Sequence, residues 1–293
     1  TSMEFYDSST LITFDPNGFS LGSGTGVNNS SNSYVAWNWK AGTVPALNVV
    51  GDINSVVSVN QNAGFSIVRY NGASNATTDS DNNGGAGWNI GHSLGVAPSM
   101  VIVKKISNAG SGAVASWYVG ADGIATNPWT SGNGQQLRLD EDGGVTSPGG
   151  STKIWNSAPT STTFNVGGWD VVNRNGDVYV AYCFANISGY VKVSTYQANS
   201  GSAKTIYTTD DGTSGGSNGF QPSFVLIKNT AAGYNWIITD SARGTGQILY
   251  ADLPAARALT TTSITSFNSD GFTIGSSSDV NNGTDTYLYL AIK

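Results

Sequence analysis

The feature that most constrains this chain is that it repeats itself, so whatever fold it adopts has to work several times over. Two blocks alternate. The short block occurs three times, as FDPNGFSLGSGTGVNNSSNSYVAWNWK from Phe14, FNVGGWDVVNRNGDVYVAYCFA from Phe164 and FNSDGFTIGSSSDVNNGTDTYLYLAIK from Phe267. In each, an aromatic stands four residues before a glycine-aromatic pair (Gly18-Phe19, Gly168-Trp169, Gly271-Phe272). A Val-Asn pair then lies six residues before the tyrosine that opens an apolar run. The long block occurs twice: GFSIVRY leads to GVAPSMVIVKK and WYV, and YVKVSTY leads to GFQPSFVLIKN and NWII. Tyr70 matches Tyr196, Pro98 matches Pro222, Lys104 matches Lys228 and Trp117 matches Trp236, and the distal GQQLRLD matches GQILYAD.

The blocks therefore read as an arm over residues 1–42 holding half a repeat, then two full units at 43–188 and 189–293. The arm has two readings. Either it adds strands to the first unit of its own chain, or it completes a unit whose other half lies upstream or in a neighbouring subunit. The second is favoured, because unpaired edge strands recruit another chain.

Strands carry both blocks. The runs after Tyr34, Tyr179 and Tyr287 alternate with period two, placing Val35, Trp37, Trp39, then Val180, Tyr182, Phe184, then Leu288, Leu290, Ile292 on a core face. The opposite face, which includes Cys183, reads as a lighter second contact layer. MVIVKK and FVLIKN are continuous apolar runs, expected as central strands buried on both faces before a lysine surfaces at the end. Pro98 and Pro222 open them, where a missing N–H is tolerated. Gly-, Asn- and Asp-rich stretches between the runs supply turns. LPAARALTTT, from Leu253, is the best helical candidate, at one or two turns. The expectation is an all-β chain of tandem antiparallel β-sandwich units, jelly-roll-like in type.

Composition excludes several functions. Only 11% of residues are charged, the net charge is −6, and the basic residues stand singly apart from Lys104-Lys105. No stripe exists to neutralise a run of phosphates, so nucleic acid is not an expected partner. No apolar run is long enough to span a bilayer as a helix, and membrane insertion is not expected. The one cysteine, Cys183, has no partner for an internal disulfide and reads as a small buried apolar group.

The catalytic inventory is thin. His92 is the single histidine, in a glycine-flanked turn that the second unit does not repeat, and reads as a loop residue. Glycoside hydrolysis needs two facing carboxyls, yet the glutamates are Glu4 and Glu141 alone, the latter beside Asp142 in LDEDGG. Asp79, Asp81, Asn83 and Gly84 match the start of a calcium-binding loop, but its twelfth position falls on Ile90 instead of a glutamate, and a plain solvated turn is preferred. Trp88, Trp129 and Trp155, in loops of the first unit, read either as exposed platforms for sugar rings or as plugs of loop gaps and subunit contacts, the second preferred. No catalytic, cofactor-binding or metal-binding residue is assigned.

The repeated segments GFSIVRY, GHSLGVAPSMVIVKK and IWNSAPTSTTFNVGGWDVVNRNGDVYVAYCFANISGY, with the second pass GFQPSFVLIKNTAAGYNWIITDSARG ending in TYLYLAIK, resemble a repeat of virion structural proteins of tailed phages, marine ones especially. The resemblance covers nearly the whole chain and brings no catalytic signature. It implies a non-enzymatic tail fibre or surface appendage at the virion surface, partnered by other virion proteins and by its own copies in a homo-oligomer such as a trimer, with a host surface glycan as target. A secreted carbohydrate-binding module and a self-assembling lattice or filament subunit are the alternatives.

Overall fold

The structure, a computed structural model, describes residues 7–42, 44–74, 87–107, 115–130, 134–148, 153–254 and 258–293. The chain is all-β. The arm contributes a hairpin, β1 (Leu11–Asp15) with β2 (Gly18–Leu21), that forms a sheet of its own. The first unit holds β3 (Ala46–Asn48), β4 (Ser55–Asn60), β5 (Phe65–Asn71), β6 (Trp88–Gly91), β7 (Met100–Ser107), β8 (Tyr118–Ala121), β9 (Leu137–Arg138), β10 (Thr163–Val166), the single turn α1 (Asp170–Asn173) and β11 (Val178–Phe184). The second holds β12 (Val191–Gln197), β13 (Lys204–Tyr207), β14 (Phe224–Asn229), β15 (Ile237–Asp240), β16 (Gln247–Tyr250), β17 (Ala258–Leu259), β18 (Ile264–Asn268), β19 (Gly271–Ile274), α2 (Ser278–Asn281) and β20 (Thr286–Ile292).

Each unit is a large antiparallel sheet covered on one face by a small one. The first large sheet runs β3-β4-β5-β11-β7-β8-β9 and the second β12-β20-β14-β15-β16-β17; the small sheets are β10-β6 and β13-β19-β18. In both units the last strand of the short block is central. β11 pairs with β5 on one side and β7 on the other, as β20 pairs with β12 and β14. A short block thus closes its unit by joining the two long-block strands.

Both faces of these closing strands are cores, which corrects the expectation of one core face and one lighter layer. Tyr179, Ala181 and Cys183 pack inside the first unit with Trp88, Ile90, Phe164 and Val166, and Tyr287, Tyr289 and Ala291 pack inside the second with Ile206, Phe272 and Ile274. Tyr182, Phe184, Leu288, Leu290 and Ile292 meet in a third cluster, together with Met100, Ile102, Phe224 and Trp236, where the two large sheets lie face to face. The layers therefore run small sheet, large sheet, large sheet, small sheet.

Three further expectations are corrected. The lysines at the ends of β7 and β14 do not surface. Lys104 donates to the Ala115 carbonyl and Lys228 to those of Tyr234 and Asp142, while Lys105 meets the Asp177 carboxylate at 2.8 Å with both side chains fully buried. In the second unit Asn229 takes the place of Lys105 and donates to Asp285 at 2.9 Å. The Leu253 segment is not helical where described, but contributes the two-residue strand β17; the single turns α1 and α2 form instead in the short blocks. Last, Phe164 corresponds to Phe272 and not to Phe267. β10 pairs with β6 as β19 pairs with β13, and α1 and α2 follow them at equal spacing.

Candidate functional site

Every short block folds its turn around a tyrosine hydroxyl and an asparagine amide. The Tyr179 hydroxyl donates to the Asp170 carbonyl at 2.6 Å and accepts from the Arg174 N–H at 2.8 Å. Tyr287 does the same with Ser278 and Asn282, at 2.7 and 2.9 Å. Asn173 and Asn281 donate from Nδ2 to the carbonyls of Gly167 and Gly275. Those glycines permit a close approach: a Cβ on Gly275 would lie 2.4 Å from the Thr262 carbonyl oxygen, and one on Gly167 would lie 2.2 Å from that of Lys153. The long block then supplies a second tyrosine. Tyr70 stacks on Tyr179 and donates to the Val172 carbonyl at 2.7 Å, and Tyr196 stacks on Tyr287 and donates to the Val280 carbonyl at 2.8 Å.

The arm builds the same turn by itself. The Tyr34 hydroxyl donates to Thr25 and accepts from Asn29, at 3.0 and 2.9 Å, and Asn28 donates to Gly22 at 2.8 Å. A Cβ on Gly22 would meet the Ser9 carbonyl oxygen at 2.4 Å. Its hairpin pairs Phe14 with Phe19 and Asp15 with Gly18, with an irregularity between Leu11 and Thr13; β18-β19 pairs Phe267 with Phe272 and Asn268 with Gly271, with an irregularity between Ile264 and Ser266. Residues 9–40 thus match residues 262–293 without a gap. The stretch Tyr34–Lys40, counterpart of β20, belongs to none of the sheets.

One face of that stretch is seated where the two units meet. Trp37 donates from its indole to Asp240 at 3.1 Å and lies edge-on to Phe224, and Trp39 packs against Phe65, Phe184 and Phe224. Burial pushes the Asp240 carboxyl up, but hydrogen bonds from the Arg243 backbone and side chain and from Trp37 outweigh it and hold it below the usual range. The Arg243 guanidinium also covers the Trp37 ring, 5.7 Å from its centre. Beside these residues opens a cleft of ≈ 450 Å³, into which Asn38, Lys40, Asn60 and the partly exposed Trp39 and Tyr190 face. Sequence reasoning missed Asp240 and Arg243, which carry no motif; the alternation of Trp37 and Trp39 was the available signal.

The residues singled out by sequence lie elsewhere and apart. His92 is buried, its Nε2 at 3.1 Å from the Thr160 carbonyl and its Nδ1 accepting from the Leu94 N–H, and burial lowers its pKa. Glu141 is held by Arg138 through both oxygens and accepts from Ser116, while the Asp142 carbonyl receives Lys228. Trp88, Trp129 and Trp155 are buried, not platforms: they belong to the first unit's core, Trp129 edge-on to Trp155 and donating to Asp122. Cys183 is buried, and burial pushes its thiol up to about 12. Glu4 and the Asp79–Gly84 loop lie outside the described residues. Among the described residues no three His, Cys, Asp or Glu side chains group to hold a metal ion, and no helix is long and apolar enough to cross a membrane.

A family model described as a domain of unknown function (DUF7483) matches residues 1–293. No curated protein and no solved structure matches the chain.

Proposed function

The chain belongs to the DUF7483 domain family, and we propose that it is a structural protein of a phage virion, a tail fibre or surface appendage that contributes to attachment at the host surface. The observation that carries the reading is the arm: a chain of repeated half-units in which one closing half keeps its inner face exposed is suited to be a link in a longer assembly, as a fibre requires. The repeat's resemblance to virion proteins supports it. The cleft beside the arm supports the attachment role, since half-exposed Trp39 and Tyr190 with Asn38, Asn60 and Lys40 offer a ring face and hydrogen-bonding groups to a sugar. Each such contact is weak, and valency along an appendage multiplies it.

Gold-labelled antibody against the 293-residue chain tests this on purified virions by electron microscopy. Label at tail tips or fibres is the expected result. Label spread over a shell or filament, or absent from particles, replaces the proposal with a lattice subunit or a secreted carbohydrate-binding module.

A further inference from the structure

The arm is folded as a closing half, yet its inner face is bare. Leu21 is 39% exposed where its counterpart Ile274 is fully buried, Leu11 is 41% exposed where Ile264 is 1%, and Tyr34 is 48% exposed where Tyr287 is fully buried. The outer face is seated in part: Trp37 packs against the junction of the two large sheets, where its counterpart Leu290 lies, and Trp39 meets Phe65, Phe184 and Phe224 on one side while 39% exposed. What the second unit has and the arm lacks is a long half: a strand such as β12 on one side of the closing strand and one such as β14 on the other.

Copies of these 293 residues cannot supply it. Each holds three short blocks and two long ones. Exchanging the arm of one copy for residues 262–293 of another only moves the vacancy, and any number of copies leaves as many short blocks unpaired as there are chains.

We infer that residues 9–40 are the acceptor for a long half-unit of the same repeat carried outside these 293 residues. The occupant is defined by its chemistry. Its first strand presents a tyrosine that stacks on Tyr34 and donates its hydroxyl to the Val27 carbonyl, as Tyr196 does to Val280. Its second strand follows a Pro-Ser pair, runs apolar on both faces and ends in a lysine whose ammonium reaches backbone carbonyls, as in β14. Both strands pair with Tyr34–Lys40, one on each side. This inference is independent of the virion reading.

The test places a second copy of residues 189–253 directly ahead of Thr1, the position at which the repeat stays in register. Hydrogen exchange is followed at residues 35–40 and 288–293. In the 293-residue chain the first set is expected to exchange about 100-fold faster or more than the second, and the extension is expected to slow it by a similar factor. A chain whose appended segment folds while residues 35–40 stay unprotected overturns the inference. So does an unextended chain that already protects those amides as a dimer. Should the extended chain not fold, Tyr34→Ala and Tyr287→Ala in the 293-residue chain decide: the first is expected to leave the urea midpoint unchanged and the second to lower it, and equal losses overturn the inference.

Discussion

The Lys228 ammonium is held by the carbonyls of Tyr234 and Asp142 at the end of a strand with no exposed residue. Burial lowers its pKa to about 8, against the pull of Asp252 and Asp142 in the other direction. Between pH 8 and about 10 the unfolded chain therefore keeps a proton at this site that the folded chain has given up, and stability rises with pH. Burial raises the Tyr70 and Tyr196 hydroxyls, which act in the opposite sense above pH 10, where unfolded tyrosines ionise first. Comparison with Lys228→Met removes the tyrosine contribution, because both proteins carry it. Chemical denaturation is expected to show wild type gaining on the order of 1–2 kcal/mol over that variant from pH 8 to pH 10, after discounting for solvent screening. A pH-independent difference would mean that the ammonium stays protonated in the fold. In the sequence a lysine after an aliphatic run reads as the end of burial, and nothing local reveals that carbonyls from Ala115, or from Tyr234 and Asp142, converge on it.

At the scale of elements the short block depends on one side chain that ties loops together. Asn281 is buried; its Nδ2 lies 2.7 to 2.9 Å from the Ser202 and Gly275 carbonyls and the Asn199 Oδ1, while its Oδ1 accepts from the Asn199 N–H. Asn281→Asp keeps the acceptor and sets a carboxyl against three oxygens. The introduced group holds its proton more tightly when folded than when unfolded, so stability is lost as pH rises through the ordinary carboxylate range. The expected cost is about 3–5 kcal/mol at pH 7, with part recovered at pH 4, measured by urea unfolding. A loss that does not ease at pH 4 would show that the cost comes from the missing amide donors and not from the carboxylate charge. The Val-Asn spacing before each tyrosine made this turn legible, because the motif is local and recurs three times. The register of the middle block was misread, since Gly168-Trp169 imitates the glycine-aromatic pair of the other two. Four-residue turns such as α1 and α2 are too short for helical periodicity to announce them.

Across the whole molecule, the packing of the two large sheets against one another decides how the protein comes apart. The alternation in β11 and β20 showed strands with apolar residues on both faces, but a single sequence cannot state that the second face belongs to the other unit. That cluster joins Phe65, Ile102 and Phe184 of the first unit to Leu226, Leu288 and Leu290 of the second, and the Trp236 indole donates across the junction to the Arg138 carbonyl at 2.8 Å. The same contact explains why the arm can seat Trp37 and Trp39 although Tyr34–Lys40 joins no sheet: it meets a surface built from both units. Leu288→Ala removes a fully buried side chain from the junction and is expected to cost about 2–5 kcal/mol. Because the cavity opens between sheets, the loss should reach amides of β5 and β7 in the first unit as well as β14 in the second, and calorimetry of the wild type should give one transition. Two transitions in the wild type, or exchange that quickens only within the second unit, would mean that the shared face contributes contact area without coupling the units.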